Sequence, residues 1–559
     1  MRRRFRARAR LVPLGLFLPF LPVIVSAQTA DILFENGVVW TGTSANGVTC
    51  VAVAGDRIVY VGNDAGGGDF RSARTRVVDL EGRLLLPGLV DAHAHLHGLG
   101  RALGEVALEG TRSAAEVAER VRQKQQQAVP GSWLHGRGWD QNDWSVTEFP
   151  TWRDLAGTEA SPVYLGRVDG HALWLNRTAL DACGITRDTP DPAGGRIIRD
   201  TDGEPTGVLV DNAENLVLAH VPEPAPEEVD ARLRRAIREC NHLGLVGFHD
   251  AGTTPDVLAS LRRIGAAGGL TLNVYAMLDS EYPSLLEGSF DAGPSEEFGG
   301  RLVIRCVKLR ADGALGSRGA ALLAPYDDDA GNIGLNVQPE STLYALTLAA
   351  FESGFQPATH AIGDRGNRLI LDVYERAAAQ ARPQDARPRV EHCQIIDVND
   401  LSRFAPMGVV ASMQPTHATS DMPWAAVRVG EARLAGAYAW RSLLDSGAHM
   451  AFGSDAPVES VDPLWGIYAA VTRQDHAGNP PGGWRPGEKV TMDESLRAFT
   501  SGAAYAAFEE SRAGIIAVGM RADLTVVDTN LLTCEPAAIL GARAVMTVVH
   551  GEVVHEATD

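Results

Sequence analysis

The sequence predicts an α/β fold: a (β/α)8 barrel of the TIM type, catalytic loops at its C-terminal face, joined to a small composite β-sandwich formed from both chain ends. Three observations predict it. Short apolar, strand-like runs recur along the middle of the chain, and helix-like segments separate most of them. Several of these runs end on a side chain able to do chemistry: Leu86-Pro-Gly-Leu-Val-Asp-Ala-His-Ala-His95, Lys308 shortly after Leu302-Val-Ile304, His360 after Gln356-Pro-Ala-Thr, His392 after Arg389-Val-Glu, and Asp455 after Met450-Ala-Phe-Gly-Ser. Both chain ends carry β patterning broken by turn signals.

The first 27 residues stand apart. Six arginines (Arg2, Arg3, Arg4, Arg6, Arg8 and Arg10) precede an apolar stretch at 11–25, and Val25-Ser-Ala27 offers small residues for cleavage. This pattern predicts an export signal and a periplasmic or secreted protein. Arg2-Arg3-Arg4-Phe5 also permits a twin-arginine route. The alternative is an uncleaved N-terminal anchor. Beyond residue 27 no apolar run approaches the ~18 residues of a membrane span.

Residues 28–83 read as the N-terminal part of the sandwich, with strands in Asp31-Ile-Leu-Phe34, Val38-Val-Trp40, Val51-Ala-Val53, Arg57-Ile-Val-Tyr-Val61 and Arg76-Val-Val-Asp79. Residues 506–559 mirror them in Ala522-Asp-Leu-Thr-Val-Val-Asp528 and in the run 545–554. The barrel is expected over 84–505, with strand ends near His93, Leu165, Phe248, Lys308, Thr359, Glu391, Met413 and Gly453. That length exceeds the ~250 residues of an ordinary barrel, so insertions are expected, chiefly between His93 and Phe248. Helices are clearest at Pro226–His242, with Glu227 and Glu228 in the first turn, and at 341–351.

Composition bounds the function. At 559 residues and 45% hydrophobic, the chain can bury a large core. The formal charge of −19 becomes −25 once the six leader arginines are removed, which argues against nucleic acid or an anionic membrane as partners. The six cysteines are scattered without a CxxC pair and do not form a disulfide framework. Cys306 and Cys393 read as packing residues.

His93 and His95 are the sharpest signal. On a strand, residues i and i+2 point the same way, so both imidazoles reach one metal ion at the strand's end. The plainer reading of the pair alone is hydrogen bonding. The order HxH, Lys308, His360, His392, Asp455 on successive strands resembles the amidohydrolase superfamily. The wording of His360-Ala-Ile-Gly-Asp364, Asp312-Gly-Ala-Leu-Gly-Ser-Arg318 and Gly453-Ser-Asp-Ala-Pro457 is similar to its amidohydrolase-3, or YtcJ-like, branch. The resemblance covers roughly residues 30–559.

The resemblance implies one or two divalent ions, zinc by ligand type. His93, His95 and Asp455 would hold the deeper ion, and His360 and His392 the second. It also implies an N6-carboxylated Lys308 bridging them, and burial of the 302–309 run favours the neutral amine that carboxylation needs. A salt bridge from Lys308 to Asp312 or Asp455 beside a single ion is the alternative. Asp455 is expected to act as general base towards metal-activated water and then as general acid towards the leaving amine. A helix N-cap is its structural alternative.

Other residues carry weaker expectations. Asp364 either orients an imidazole or caps a helix. Glu391, adjacent to His392, is expected to point to the opposite face. Arg318 is a candidate for a substrate carboxylate or carbonyl, against a surface salt bridge. His171 is a candidate pocket residue. The stretch from Trp133 to Trp152 holds four of the ten tryptophans, Trp139 among them, which either wall a substrate pocket or pin a long loop. His97, His135, His249 and His417 are read mainly as hydrogen-bonded bystanders.

The resulting expectation is an exported, metal-dependent hydrolase of small molecules that cleaves a carbon–nitrogen bond other than a peptide bond, in an amide or N-substituted formamide-like substrate. A homodimer is left open. One alternative is a mononuclear aminohydrolase. That chemistry commonly uses a glutamate three residues after the third histidine, where this chain has Gly363. A non-catalytic exported metal-binding protein is the other.

Overall fold

Eight strands of one sheet wind in order, each parallel to its neighbours on this path: β1 (Leu89–Ala94), β2 (Leu245–Thr253), β3 (Asn273–Asp279), β4 (Leu302–Arg310), β5 (Gln356–Ala361), β6 (Arg389–His392), β7 (Val410–Met413) and β8 (His449–Phe452), and a short ninth strand, Ser295–Glu297, pairs antiparallel with β4. The computed structural model describes residues 29–558 apart from 130, 169 and 170, so the leader at 1–27 lies outside the described residues. The strands are short, aliphatic and almost wholly buried, as expected where helices cover a parallel sheet. Helices such as Pro226–His242, Pro255–Ala266, Glu340–Glu352 and Asp364–Ala381 connect them.

The ring is all but closed between β8 and β1. Asp455 N donates to His93 O at 2.7 Å and His95 N to Ala456 O at 2.8 Å, beyond the end of β8. Gly453 permits this approach, because a Cβ there would lie 2.4 Å from His93 N. Closing the barrel thus places the His93/His95 strand end directly against Asp455.

Both chain ends meet in one sheet. Its five strands run in the order Val38–Val39, Leu84–Pro87, Leu524–Val527, Ala544–Val549 and Glu552–Glu556. A second sheet, ordered Arg57–Gly62, Cys50–Ala54, Ile32–Glu35 and Arg76–Asp79, packs with it around Phe34, Val51, Val53, Leu85, Leu524 and Val548. None of the described helices is long and apolar enough to cross a membrane.

The long excursion between β1 and β2 is a unit of its own. Strands Val106–Ala107, Leu134–Trp139, Val163–Arg167, Ala172–Leu175, Pro205–Asp211 and Gly195–Arg199 form a separate six-stranded sheet. This corrects the expectation of a barrel strand ending near Leu165. Val163–Arg167 pairs antiparallel with Ala172–Leu175, and the missing barrel strand is Asn273–Asp279. Both are short buried apolar runs, which periodicity cannot tell apart.

Trp139 is likewise corrected as a pocket wall. It is fully buried, donates Nε1 to Leu165 O at 2.8 Å, and packs edge-on against Trp174 with ring centroids 5.8 Å apart. Trp144 and Trp174 satisfy their indole N–H groups on Thr111 O and Thr151 O. The rings form the insertion's core. Trp139→Ala is expected to cost about 3–5 kcal/mol, seen as an earlier unfolding transition with KM unchanged.

Candidate metal centre

The C-terminal ends of β1, β4, β5, β6 and β8 converge on one buried point. Parallel register sets the levels: Arg310 on β4 pairs with His360 on β5, and His360 and Ala361 pair with Glu391 and His392 on β6. His93 Nε2 lies 3.5 Å and His95 Nε2 3.1 Å from Asp455 Oδ1. These three side chains form one group able to hold a cation, and His392, His417 and Asp455 form another.

The donors are prepared as ligands. His93 Nδ1 meets Glu391 Oε2 at 2.5 Å, which assigns the proton to Nδ1 and leaves a lone pair on Nε2. Arg389 grips Glu391 through Nε (2.7 Å) and Nη2 (3.1 Å), and reaches Ala92 O, Ser412 Oγ and His249 Nδ1. His392 Nδ1 contacts Gln414 Oε1 at 2.8 Å. Burial lowers the pKa of His93 to about 4, with the Lys308 charge adding to it, and that of His360 to about 3. His392 is also held well below its ordinary value by burial. All three are neutral imidazoles at pH 7, the form that binds metal.

Burial opposes ionisation of Asp455, yet the His95 hydrogen bond and the neighbouring His392, His93 and His417 outweigh it, so the carboxyl is held well below its usual range. His360 Nε2 and His417 Nε2 are buried with no hydrogen-bond partner among the described residues. Unpartnered imidazole nitrogens facing a carboxylate fit a missing cation better than a dry hydrogen-bonded cluster. His392 and Asp455 adopt φ of 78° and 60°, a strained region for residues other than glycine. The convergence is held by the surrounding fold.

Lys308 is 3% exposed and sits 3.3 Å from His93 Nε2. It has no ion pair among the described residues, and burial lowers its pKa to about 8. The salt-bridge alternative through Asp312 does not hold. Asp312 instead accepts from the backbone N–H groups of Ala321, Ile362 and Gly363 at 2.8–2.9 Å. It anchors the turn behind His360, whose Nε2 is 3.5 Å from Asp312 Oδ1.

Several expected roles are corrected. Asp364 Oδ1 accepts from Leu323 N and Arg365 N at 2.8 and 2.9 Å and orients no imidazole among the described residues, because it opens the Asp364–Ala381 helix. Arg318 turns to Asp328, with Nε and Nη2 at 3.1 and 2.9 Å, rather than to the centre. His171 is mostly exposed and faces Asp211 at 2.8 Å in the six-stranded insertion. Glu391 does not point away: it enters the barrel interior with Arg389, and the positive φ of His392 breaks the strand alternation, so both reach the centre.

Two contributors carry only weak signals in the sequence. Strand alternation alone puts Glu391 on the face opposite His392. His417 lies four residues beyond β7, with Nε2 3.7 Å from Asp455 Oδ2. Its only sequence signal is Gln414-Pro-Thr-His417 directly after an apolar strand end.

A parallel barrel whose strand ends gather neutral histidines, a buried lysine and an ionised aspartate defines a hydrolase of the metal-dependent class. Residues 76–555 match the amidohydrolase family, and the chain belongs to that family. It is 35% identical over 495 residues to YtcJ of Bacillus subtilis (strain 168), covering 87% of this chain and 92% of that protein. It is 28% identical over 551 residues to the N-substituted formamide deformylase of Arthrobacter pascens, covering 95% and 99%. An uncharacterised metal-dependent hydrolase from Pyrococcus furiosus superposes with a TM-score of 0.75 at 28% identity, covering 90% of this chain and all of that one.

Proposed function

We propose that this enzyme is an exported hydrolase of carbon–nitrogen bonds other than peptide bonds, acting on small amides of the N-substituted formamide type. The observation that carries the reading is the group of His93, His95 and Asp455, in which His93 and Asp455 are buried and His95 is partly exposed, with Glu391 fixing the His93 tautomer. The 28% likeness to a formamide deformylase supports the substrate class, and the arginine-rich leader with its apolar core supports export.

His93, His95 and Asp455 would hold zinc or a similar divalent ion, which supplies Lewis acidity to the scissile carbonyl and to attacking water. The side chains do the rest. Asp455, ionised and held by His95, accepts the proton of water as the new C–O bond forms, then returns it to the departing nitrogen as the C–N bond breaks. Glu391 keeps His93 in one tautomer throughout.

Lys308, neutral in appreciable fraction near pH 8, can add its Nζ lone pair to carbon dioxide. An N–C bond forms, a π pair moves onto oxygen and one N–H proton leaves to solvent, giving an anionic carbamate. Native intact mass should then show an adduct of one carbon dioxide, lost on mild acid and absent from Lys308→Ala.

Gly363 weighs against the aminohydrolase alternative. A Cβ at that position would lie 2.0 Å from Ala321 O, so no glutamate fits there. Chelation by dipicolinate should abolish hydrolysis of N-benzylformamide and related amides, and zinc should restore it. Full activity after complete metal removal would overturn the reading.

A further inference from the structure

We infer that a cavity at the N-terminal end of the barrel, opposite the metal centre, binds a small carboxylate with an aromatic or compact apolar body, and that Arg305 anchors it.

The cavity measures about 260 Å³ and lies where the chain enters β4, β5 and β6. Arg305, Phe351, Phe355, Pro383, Ala386 and Phe508 line it. That volume falls below the ~300–1,000 Å³ of pockets for drug-sized ligands and suits a smaller molecule. Phe351 and Phe355 are buried and give the cavity an apolar wall.

Arg305 comes from a break in the sheet. Ile304 pairs with Ala276 and Cys306 with Met277, so Arg305 has no partner on β3. Such a bulge takes the extra residue out of the strand alternation and is rare between parallel strands. Here Cys306 stays packed in the core while Arg305, partly buried, joins the cavity lining. Its guanidinium carbon lies 3.7 Å from the centroid of the Phe508 ring.

The charge on Arg305 is unanswered. It makes no ion pair among the described residues, and its Nε is buried without a hydrogen-bond partner there. A buried donor left unpaired is rare in folded proteins and calls for an acceptor. The neighbouring carboxylates are already engaged. Arg387 holds both Asp385 and Glu510 through Nη2, at 2.8 and 2.7 Å, and Arg512 holds Glu296 at 2.8 and 3.0 Å. Arg387 also lies over Phe508, 4.6 Å from the centroid, so one ring carries two guanidinium groups and only one of them is neutralised.

A carboxylate meets both halves of this surface. Its oxygens match the guanidinium fork, and its apolar body packs against the phenylalanine rings. A phosphate would leave oxygens facing carbon, because the cavity offers a single unpaired cation. The site is also remote from the metal. Arg305 precedes Lys308 by three residues, about 10 Å along β4. Binding therefore does not need the metal.

The test is titration of the purified protein with 4-fluorobenzoate, followed by fluorine NMR. Saturable binding at one site per chain is expected, unchanged after the metal is stripped with EDTA and the chelator removed. Arg305→Gln should weaken it about tenfold or more, the loss of a hydrogen-bonded charge. Arg305→Lys, which keeps the charge without the fork, should fall between. Circular dichroism restricts the comparison to folded variants. Acetate and inorganic phosphate should bind about tenfold more weakly than 4-fluorobenzoate, since neither fills the apolar part. No saturable binding at millimolar ligand would overturn the inference, as would wild-type affinity in folded Arg305→Gln, or acetate or phosphate competing at equal strength. Binding that disappears with the metal would assign the ligand to the metal centre and overturn it too.

Discussion

Asp455→Asn is expected to lower kcat by about 10²–10⁴-fold, the range for losing a positioned general acid–base. The amide is nearly isosteric and keeps an acceptor for His95, so the fold should survive while the proton-accepting charge is lost. The closing hydrogen bond from Asp455 N to His93 O is made by the backbone and persists. Steady-state kinetics with metal content measured in parallel separates the causes. A rate loss with the ions retained assigns the effect to proton transfer, and loss of an ion assigns it to ligation. A kcat within about threefold of wild type, far below that range, would remove Asp455 from catalysis.

Arg389→Ala should destabilise the protein by about 3–5 kcal/mol, because it strands the Glu391 carboxylate in the barrel interior. Both side chains are fully buried, and Arg389 also reaches His249, Ala92 O and Ser412. Burial opposes the Glu391 charge, but Arg389 and then His93 outweigh it and hold the carboxyl well below its usual range. A depressed carboxyl contributes stability that is fully present above its unfolded-state value and is lost as pH falls through the folded one. In Arg389→Ala the sign reverses: Glu391 becomes a buried unpaired acid whose protonation relieves the fold. Acidification from pH 7 to 5 should therefore narrow the gap between variant and wild type in denaturant midpoint. Adding Glu391→Gln to Arg389→Ala should recover stability while weakening metal binding by about 10–100-fold, since His93 loses the carboxylate that fixes its tautomer. No recovery in the double variant would show that Arg389 acts through its other contacts.

The ligand types were readable because strand-end chemistry is local. His93 and His95 two residues apart, and single His, Lys and Asp residues closing apolar runs, need no tertiary contact to be recognised as candidates. The pairing of the chain ends was readable too, since short β segments at either terminus must find partners to bury their apolar faces. What failed had a common cause. Val163–Arg167 and Asn273–Asp279 are equivalent as sequence, and only hydrogen-bonded pairing assigns one to the insertion and the other to the barrel. Trp139, Arg318 and His171 have side chains suited to a substrate pocket, but their partners (Trp174, Asp328 and Asp211) are set by how distant segments pack.

The sequence by itself determined the alternation of strand and helix, the order of the ligand-bearing strand ends and the family they define. Tertiary structure alone decided how the donors divide. The positive φ of His392 turns it and Glu391 towards the same centre, barrel closure at Gly453 sets Asp455 against His93, and the turn after β7 brings His417 to the far oxygen of Asp455. Backbone strain and ring closure depend on the balance of the whole packed barrel, and no local pattern of residues encodes that balance.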